Sequence, residues 1–167
     1  MKKFAVSCGG TGGHFYPGLA LAREAGNFSA LVLLSGIHAP EQREIAEKQG
    51  VHAIALPPMP IWKRHFFGFL RGLWRGFFTA RRALKDFAPD AVIGMGSFAS
   101  TPILLAAKTL SIPVYLHDGN ARIGKALGNA VLNGLHEHLG FVLVGVEIAH
   151  DLVVALGIEV LEAGVFK

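Results

Sequence analysis

The chain of 167 residues has a single cysteine. That excludes an internal disulfide and any cysteine-built zinc site, and it fits a reducing compartment. Cys8 closes an apolar run, so a small buried side chain is expected there rather than a nucleophile. Charge is also scarce: 17% of residues are charged and 51% hydrophobic, which excludes a disordered chain. No uninterrupted apolar run reaches the ~18 residues of a membrane span. The most apolar part, 139–165, is broken by Glu147, His150, Asp151, Glu159 and Glu162. The apolar run inside "MKKFAVSCGG" is too short for a signal peptide, so a cytoplasmic location is expected. No closely spaced group of His, Asp and Glu suited to holding a metal stands out, and no metal is expected. Repeats, low-complexity stretches and internal linkers are absent, so residues 1–167 read as one domain.

What is present is regular. Apolar runs of strand length, at 4–8, 30–35, 51–56, 91–95, 113–117, 141–145 and 158–164, alternate with helical patterns. The helical patterns lie near 17–26, 41–49, 66–87, 101–110, 122–138 and 147–156. This alternation predicts an α/β fold, a Rossmann-like parallel sheet with helices on both faces. Ligands in such folds bind at the carboxyl ends of strands, which directs attention to the segments after residues 8, 35, 56, 95 and 117.

The first of these segments is "CGGTGGHFYPG", Cys8–Gly18, with five glycines between a strand and a helix whose first turn is expected to hold Pro17. Such a loop is either a tight crossover or a place where a ligand approaches the main chain. Free N–H groups and the helix dipole would make it an anion site. It contains neither the P-loop pattern nor G-x-G-x-x-G. Two further loops, "GMGSFAS" (94–100) and "HDGNARIG" (117–124), follow later strands, and all three should converge on one cleft.

In content, order and spacing these segments resemble the MurG family. "GGTGGHFYPGLALA" matches its first glycine loop, "PDAVIGMGSFASTP" its second, and "IPVYLHDGNARIGKA" its His-acid-x-Asn segment. The resemblance spans about residues 3–126. It implies the N-terminal, acceptor-side half of a GT-B glycosyltransferase, with the C-terminal donor domain absent. The implied reaction moves GlcNAc from UDP-GlcNAc to lipid I, giving lipid II in peptidoglycan synthesis, with no cofactor.

The resemblance also implies roles. Thr11, Gly12, Gly13 and Asn120 would bind the donor, and Gly94, Gly96, Ser97, Phe98, Ser100 and His117 the acceptor. Inverting transfer needs a base for the acceptor hydroxyl, and His14 is the first candidate because imidazole titrates near working pH. The plainer alternative is a histidine bonded to the helix start. Asp118 is the second candidate; it stands where the family usually has Glu, with Gly119 where Gln is frequent. Ser97 replaces a usual glycine, and the plainer role for Ser100 is helix capping.

Between Ile61 and Lys85 lie seven of the sixteen Lys and Arg residues and no acid. Aromatic residues interleave with them over more than one helical face. Trp62, Phe66, Phe67, Phe69, Arg71, Trp74 and Arg75 are therefore candidates for contact with an anionic membrane surface, making the protein peripheral on the inner face. The simpler reading is an amphipathic helix whose Arg stems snorkel. Nucleic acid is not expected, because no RRM, KH or helix-turn-helix pattern accompanies the charge. Self-association through the face that a second domain would cover is a further expected contact. The competing class of function is a non-catalytic or engineered half-domain acting as a binding or scaffold module.

Overall fold

A computed structural model describes residues 2–58, 66–96, 98–117 and 141–144. Ten elements of regular structure, besides one 3-10 turn, follow in chain order: β1 (Lys3–Gly9), α1 (Gly12–Arg23), β2 (Ser29–Ser35), α2 (Ala39–Lys48), β3 (Ala53–Ala55), α3 (Phe66–Phe87), β4 (Ala91–Gly94), α4 (Thr101–Thr109), β5 (Val114–His117) and β6 (Phe141–Val144). The 3-10 turn, Phe98–Ser100, leads into α4. The expected strand 158–164 and helices 122–138 and 147–156 lie outside the described residues.

The strands form one parallel sheet in the order β3-β2-β1-β4-β5-β6. The chain starts at the centre, runs outward to β3, then returns beside β1 to begin β4. The connection order reverses between β1 and β4, and the gap at their carboxyl ends is where such sheets take ligands.

The central strands are apolar on both sides because helices cover both faces. Phe4, Val6, Cys8, Val32 and Leu34 pack against Phe15, Leu19 and Ala22 of α1 and Ala39 and Ala46 of α2. Ala5, Leu31, Leu33, Val92 and Val114 pack against Ala80 and Leu84 of α3 and Ile103, Ala106 and Ala107 of α4. Cys8 is fully buried, as expected, and burial pushes its thiol up to about 12, which leaves it inert at neutral pH.

One boundary differs from the sequence expectation. Helix α1 begins at Gly12 rather than near Pro17, and Pro17 lies inside it at the sixth helical position. A proline there forfeits the N–H that would bond to the carbonyl of Gly13. Gly13 is exposed, so water can take that carbonyl, and the helix continues past the ring.

Helix α3 packs through small residues. Its buried positions are Gly72, Gly76, Ala80 and Leu84, a single ridge of four-residue spacing. A Cβ on Gly76 would lie 3.4 Å from the ring of Pro102 in α4 and 3.8 Å from Leu56. The far end of α3 is tied to β1, where the Lys3 amine donates to the Phe87 carbonyl at 3.1 Å and stands over its ring.

Candidate active site

The turns after β1 and β2 press main chain against main chain. Gly9 has φ +120°, and a Cβ there would run into the carbonyl oxygen of Ser35 and lie 2.8 Å from its nitrogen. Gly36, at φ +102°, mirrors it: a Cβ would lie 3.1 Å from the Gly10 Cα and 3.2 Å from the Gly10 nitrogen. Only glycine permits both the φ values and the approach. The first two glycines of the loop therefore set the turn itself.

Gly12 and Gly13 open α1. Thr11 is the N-cap, and its carbonyl accepts from the N–H groups of His14 (3.2 Å) and Phe15 (3.1 Å). Its hydroxyl makes no capping bond, and no acidic residue occupies the first turn. Thr11, Gly12 and Gly13 are all exposed. Among the described residues, a Cβ on Gly13 would meet only the Thr11 hydroxyl, at 3.9 Å. Exposed first-turn N–H groups with the positive end of the helix dipole favour an anion here.

The third helical position is His14, which is half-buried. Its ring lies over Gly96, in the loop after β4: a Cβ on Gly96 would be 3.7 Å from His14 Cε1 and 3.8 Å from Nδ1. The same point is 3.3 Å from the carbonyl oxygen of His117, at the end of β5. Three segments distant in sequence thus meet at one small space, edged by an imidazole and a main-chain carbonyl. Gly96 leaves that space open because it has no side chain and adopts φ +81°.

The other residues singled out from the sequence are placed as follows. Gly94 is buried within β4, where a Cβ would lie 2.9 Å from Leu116 and 3.1 Å from Leu104. Its missing side chain lets Leu116 of β5 and Leu104 of α4 pack against the strand. Ser100 is also buried, and its hydroxyl turns inward to the Ser7 carbonyl at 3.5 Å, so it supports the loop from beneath. It is the N-cap residue of α4 but makes no side-chain capping bond. The backbone of Phe98 belongs to the 3-10 turn. Ser97, Asp118, Asn120 and Trp62 lie outside the described residues.

One position carried no sequence signal: Gln42 is a polar residue in a helix whose other buried positions are alanines. Gly36 lies in the segment after residue 35, where the strand pattern points, although its close approach to Gly10 shows only in the fold. Only the tertiary packing of α2 against the glycine turn brings Gln42 to the site.

On the outer surface, the ridge of small residues in α3 leaves its aromatic rings outside. Phe67 is 84% exposed and Trp74 59%, with Phe66 and Phe78 more than half exposed. Trp74 stacks on Phe78 at 5.6 Å between centroids, and Phe77 packs edge-on against Phe78 at 5.3 Å. Arg71 and Arg75 are exposed beside them, whereas Phe69 is half-buried. No described helix is long and apolar enough to cross a membrane.

Comparison with known proteins gives the family. Residues 4–129 match the glycosyltransferase family 28 N-terminal domain. The UDP-N-acetylglucosamine–N-acetylmuramyl-(pentapeptide) pyrophosphoryl-undecaprenol N-acetylglucosamine transferase of Halothermothrix orenii is 39% identical over 127 residues, covering 74% of this chain and 34% of that enzyme. The enzyme of the same name from Protochlamydia amoebophila is 37% identical over 134 residues, covering 75% and 34%. Among solved structures, Acinetobacter baumannii MurG superposes with a TM-score of 0.67 at 25% identity, over 87% of this chain and 41% of that one. The chain spans about a third of the length of these curated relatives. With three-quarters of its residues inside the family match and a parallel sheet whose glycine turns meet at the reversal of strand order, the chain belongs to glycosyltransferase family 28, through its N-terminal domain.

Proposed function

We propose that this chain is the acceptor-side domain of an inverting N-acetylglucosaminyltransferase. It acts with a donor-side domain to move GlcNAc from UDP-GlcNAc to the undecaprenyl-diphosphate-linked MurNAc-pentapeptide, lipid I. The observation that carries this reading is the meeting of His14, Gly96 and the His117 carbonyl beside an exposed helix N-terminus, in a family 28 sheet.

The chemistry follows from that arrangement. The N–H groups of the first turn of α1 favour a diphosphate and the charge that grows on it as the sugar leaves. The acceptor hydroxyl attacks the anomeric carbon, and a new carbon–oxygen bond forms as the bond to UDP breaks. The hydroxyl proton passes to the His14 imidazole, and UDP departs with the electron pair. Asn120 and Asp118, by family resemblance, complete the donor contacts and the acid at the cleft edge. Fusing this chain to the remaining two-thirds of the Halothermothrix orenii relative tests the reading. UDP release that depends on a lipid I analogue is the expected result; a well-folded fusion that binds both substrates without turnover would refute it.

The same reading makes the protein peripheral on the cytoplasmic face of the membrane, docked through α3. Exposed Phe66, Phe67 and Trp74 would enter the interface, and Arg71 and Arg75 would pair with anionic headgroups, each cation adding ~1 kcal/mol near the surface. The double substitution Phe67→Ser, Trp74→Ser should weaken binding to anionic vesicles by at least about tenfold, since burying one large apolar side chain gives ~1.5–3 kcal/mol. The thermal melt should not move, because neither ring belongs to the core. Vesicle sedimentation with parallel melting curves checks both; unchanged sedimentation would place the membrane contact elsewhere.

A further inference from the structure

Gln42 is the side chain whose surroundings the fold leaves unexplained. It lies in the first turn of α2, with its own N–H donating to the His38 carbonyl at 3.0 Å, and is only 6% exposed. Its neighbours on the buried face of α2 are Ala39 and Ala46. Among the described residues, two buried side-chain oxygens lack a hydrogen-bond partner: Ser7 Oγ and Gln42 Oε1. A serine hydroxyl can rotate toward a partner, whereas the amide oxygen of Gln42 is fixed by the reach of its side chain. It stands 3.3 Å from the point where a Cβ on Gly9 would lie, directly behind the turn that precedes the anion-binding helix start.

An apolar side chain of the same length would stabilise the fold more at this depth, because an unpaired buried acceptor loses its bonds to water and gains nothing. Costs of that kind gather where a ligand completes the bonding. Accepting a hydrogen bond is the one task open to this atom, and the next residue of the turn it stands against is Gly10, whose nitrogen lies 3.2 Å from where a Cβ on Gly36 would be. We propose that Gln42 is a positioning residue for the glycine turn: its side-chain oxygen accepts the Gly10 N–H when the turn closes on a diphosphate, fixing the start of α1 in its binding geometry. This rests on the reading of the exposed first turn as a diphosphate seat. The diphosphate belongs either to a nucleotide sugar or to a prenyl-linked acceptor, and both present the same charge to the turn.

The test uses the full isotope-labelled chain titrated with inorganic pyrophosphate and followed by amide resonances. Wild-type protein should show shifts at Gly10, Thr11, Gly12 and Gly13, and slower hydrogen exchange at Gly10. Gln42→Met should bind pyrophosphate about tenfold more weakly, the value of one hydrogen bond, while melting at an equal or higher temperature. Affinity and stability moving in opposite directions is what a merely structural glutamine would not produce. Equal affinity in Gln42→Met overturns the inference, as does a loss of affinity that tracks a loss of stability. Unchanged Gly10 exchange in the bound wild type overturns it without reference to any variant. Wild-type protein that shows no shift in the Gly10–Gly13 amides overturns the diphosphate seat itself, and the inference with it. Displacement of pyrophosphate by UDP-GlcNAc or by geranyl diphosphate then identifies which substrate supplies the anion.

Discussion

His14→Ala, made in a protein that joins this chain to a relative's donor domain, is expected to lower turnover ~10²–10⁴-fold, the usual contribution of a general base. Donor affinity should stay close to that of the unaltered protein. The expectation rests on position. His14 follows the two exposed glycines of the helix start, and its ring edges the space that Gly96 leaves open against the His117 carbonyl. A diphosphate seated on the N–H groups of Gly12 and Gly13 would put the anomeric carbon within reach of a hydroxyl entering that space. The imidazole at the edge of that space is then a group able to take the proton. Removing it leaves the first-turn N–H groups in place, so kcat should fall while KM for UDP-GlcNAc changes little. Near-normal kcat in the variant would reduce His14 to a helix-start residue and make Asp118 the next base to test.

Two glycines four residues apart should respond in opposite ways to one added methyl group. Gly9→Ala forces a side chain into the backbone of Ser35 at a φ of +120°, which alanine rarely adopts. Roughly 1–3 kcal/mol for the backbone and a similar amount for overpacking would remove a large part of a typical stability of ~5–15 kcal/mol. The melting temperature should drop by roughly 10 °C or more. Gly13→Ala adds a methyl group that meets, among the described residues, only the Thr11 hydroxyl, within a helix where alanine is favoured over glycine by ~0.5–1 kcal/mol. That variant should melt no lower than wild type and still bind diphosphate poorly, because its methyl group projects where the ligand must approach. Calorimetric melts paired with pyrophosphate titrations separate the two. A Gly9→Ala protein as stable as wild type would contradict the packing described for the turn, and full affinity in Gly13→Ala would move the ligand away from the helix start.

The strands were legible because burial on both faces makes them continuous apolar runs. "ALVLLS" has no other plausible fate, and β2 begins and ends within one residue of that pattern. The start of α1 was not, because Gly12 and Gly13 are poor helix formers and Pro17 reads as a helix opener; tertiary packing of Phe15 and Leu19 overrides both. At the site, the glycine loops were visible as composition, but the separate duties of their glycines were not. Gly94 packs, Gly9 and Gly36 interlock two turns, and Gly96 makes room beside His14; each duty depends on what lies across the gap. Ser100 was expected at the cleft from the family resemblance, and the structure buries it, with its hydroxyl toward the Ser7 carbonyl. Gln42 could not have been found from its neighbours in sequence at all.

The close seating of α3 separates two kinds of heredity within one helix. Gly72, Gly76 and Ala80 seat it on the domain with almost no side-chain mass, so a bulky side chain at Gly76 would press on Pro102 of α4. Its outward rings and arginines carry no such obligation. They can be exchanged, diluted or enriched as the surroundings of the protein change, at little risk to the sheet beneath. One helix therefore keeps a fixed inner register and a freely editable outer text, and lineages sharing this fold could adapt to different surfaces without renegotiating how the domain is built.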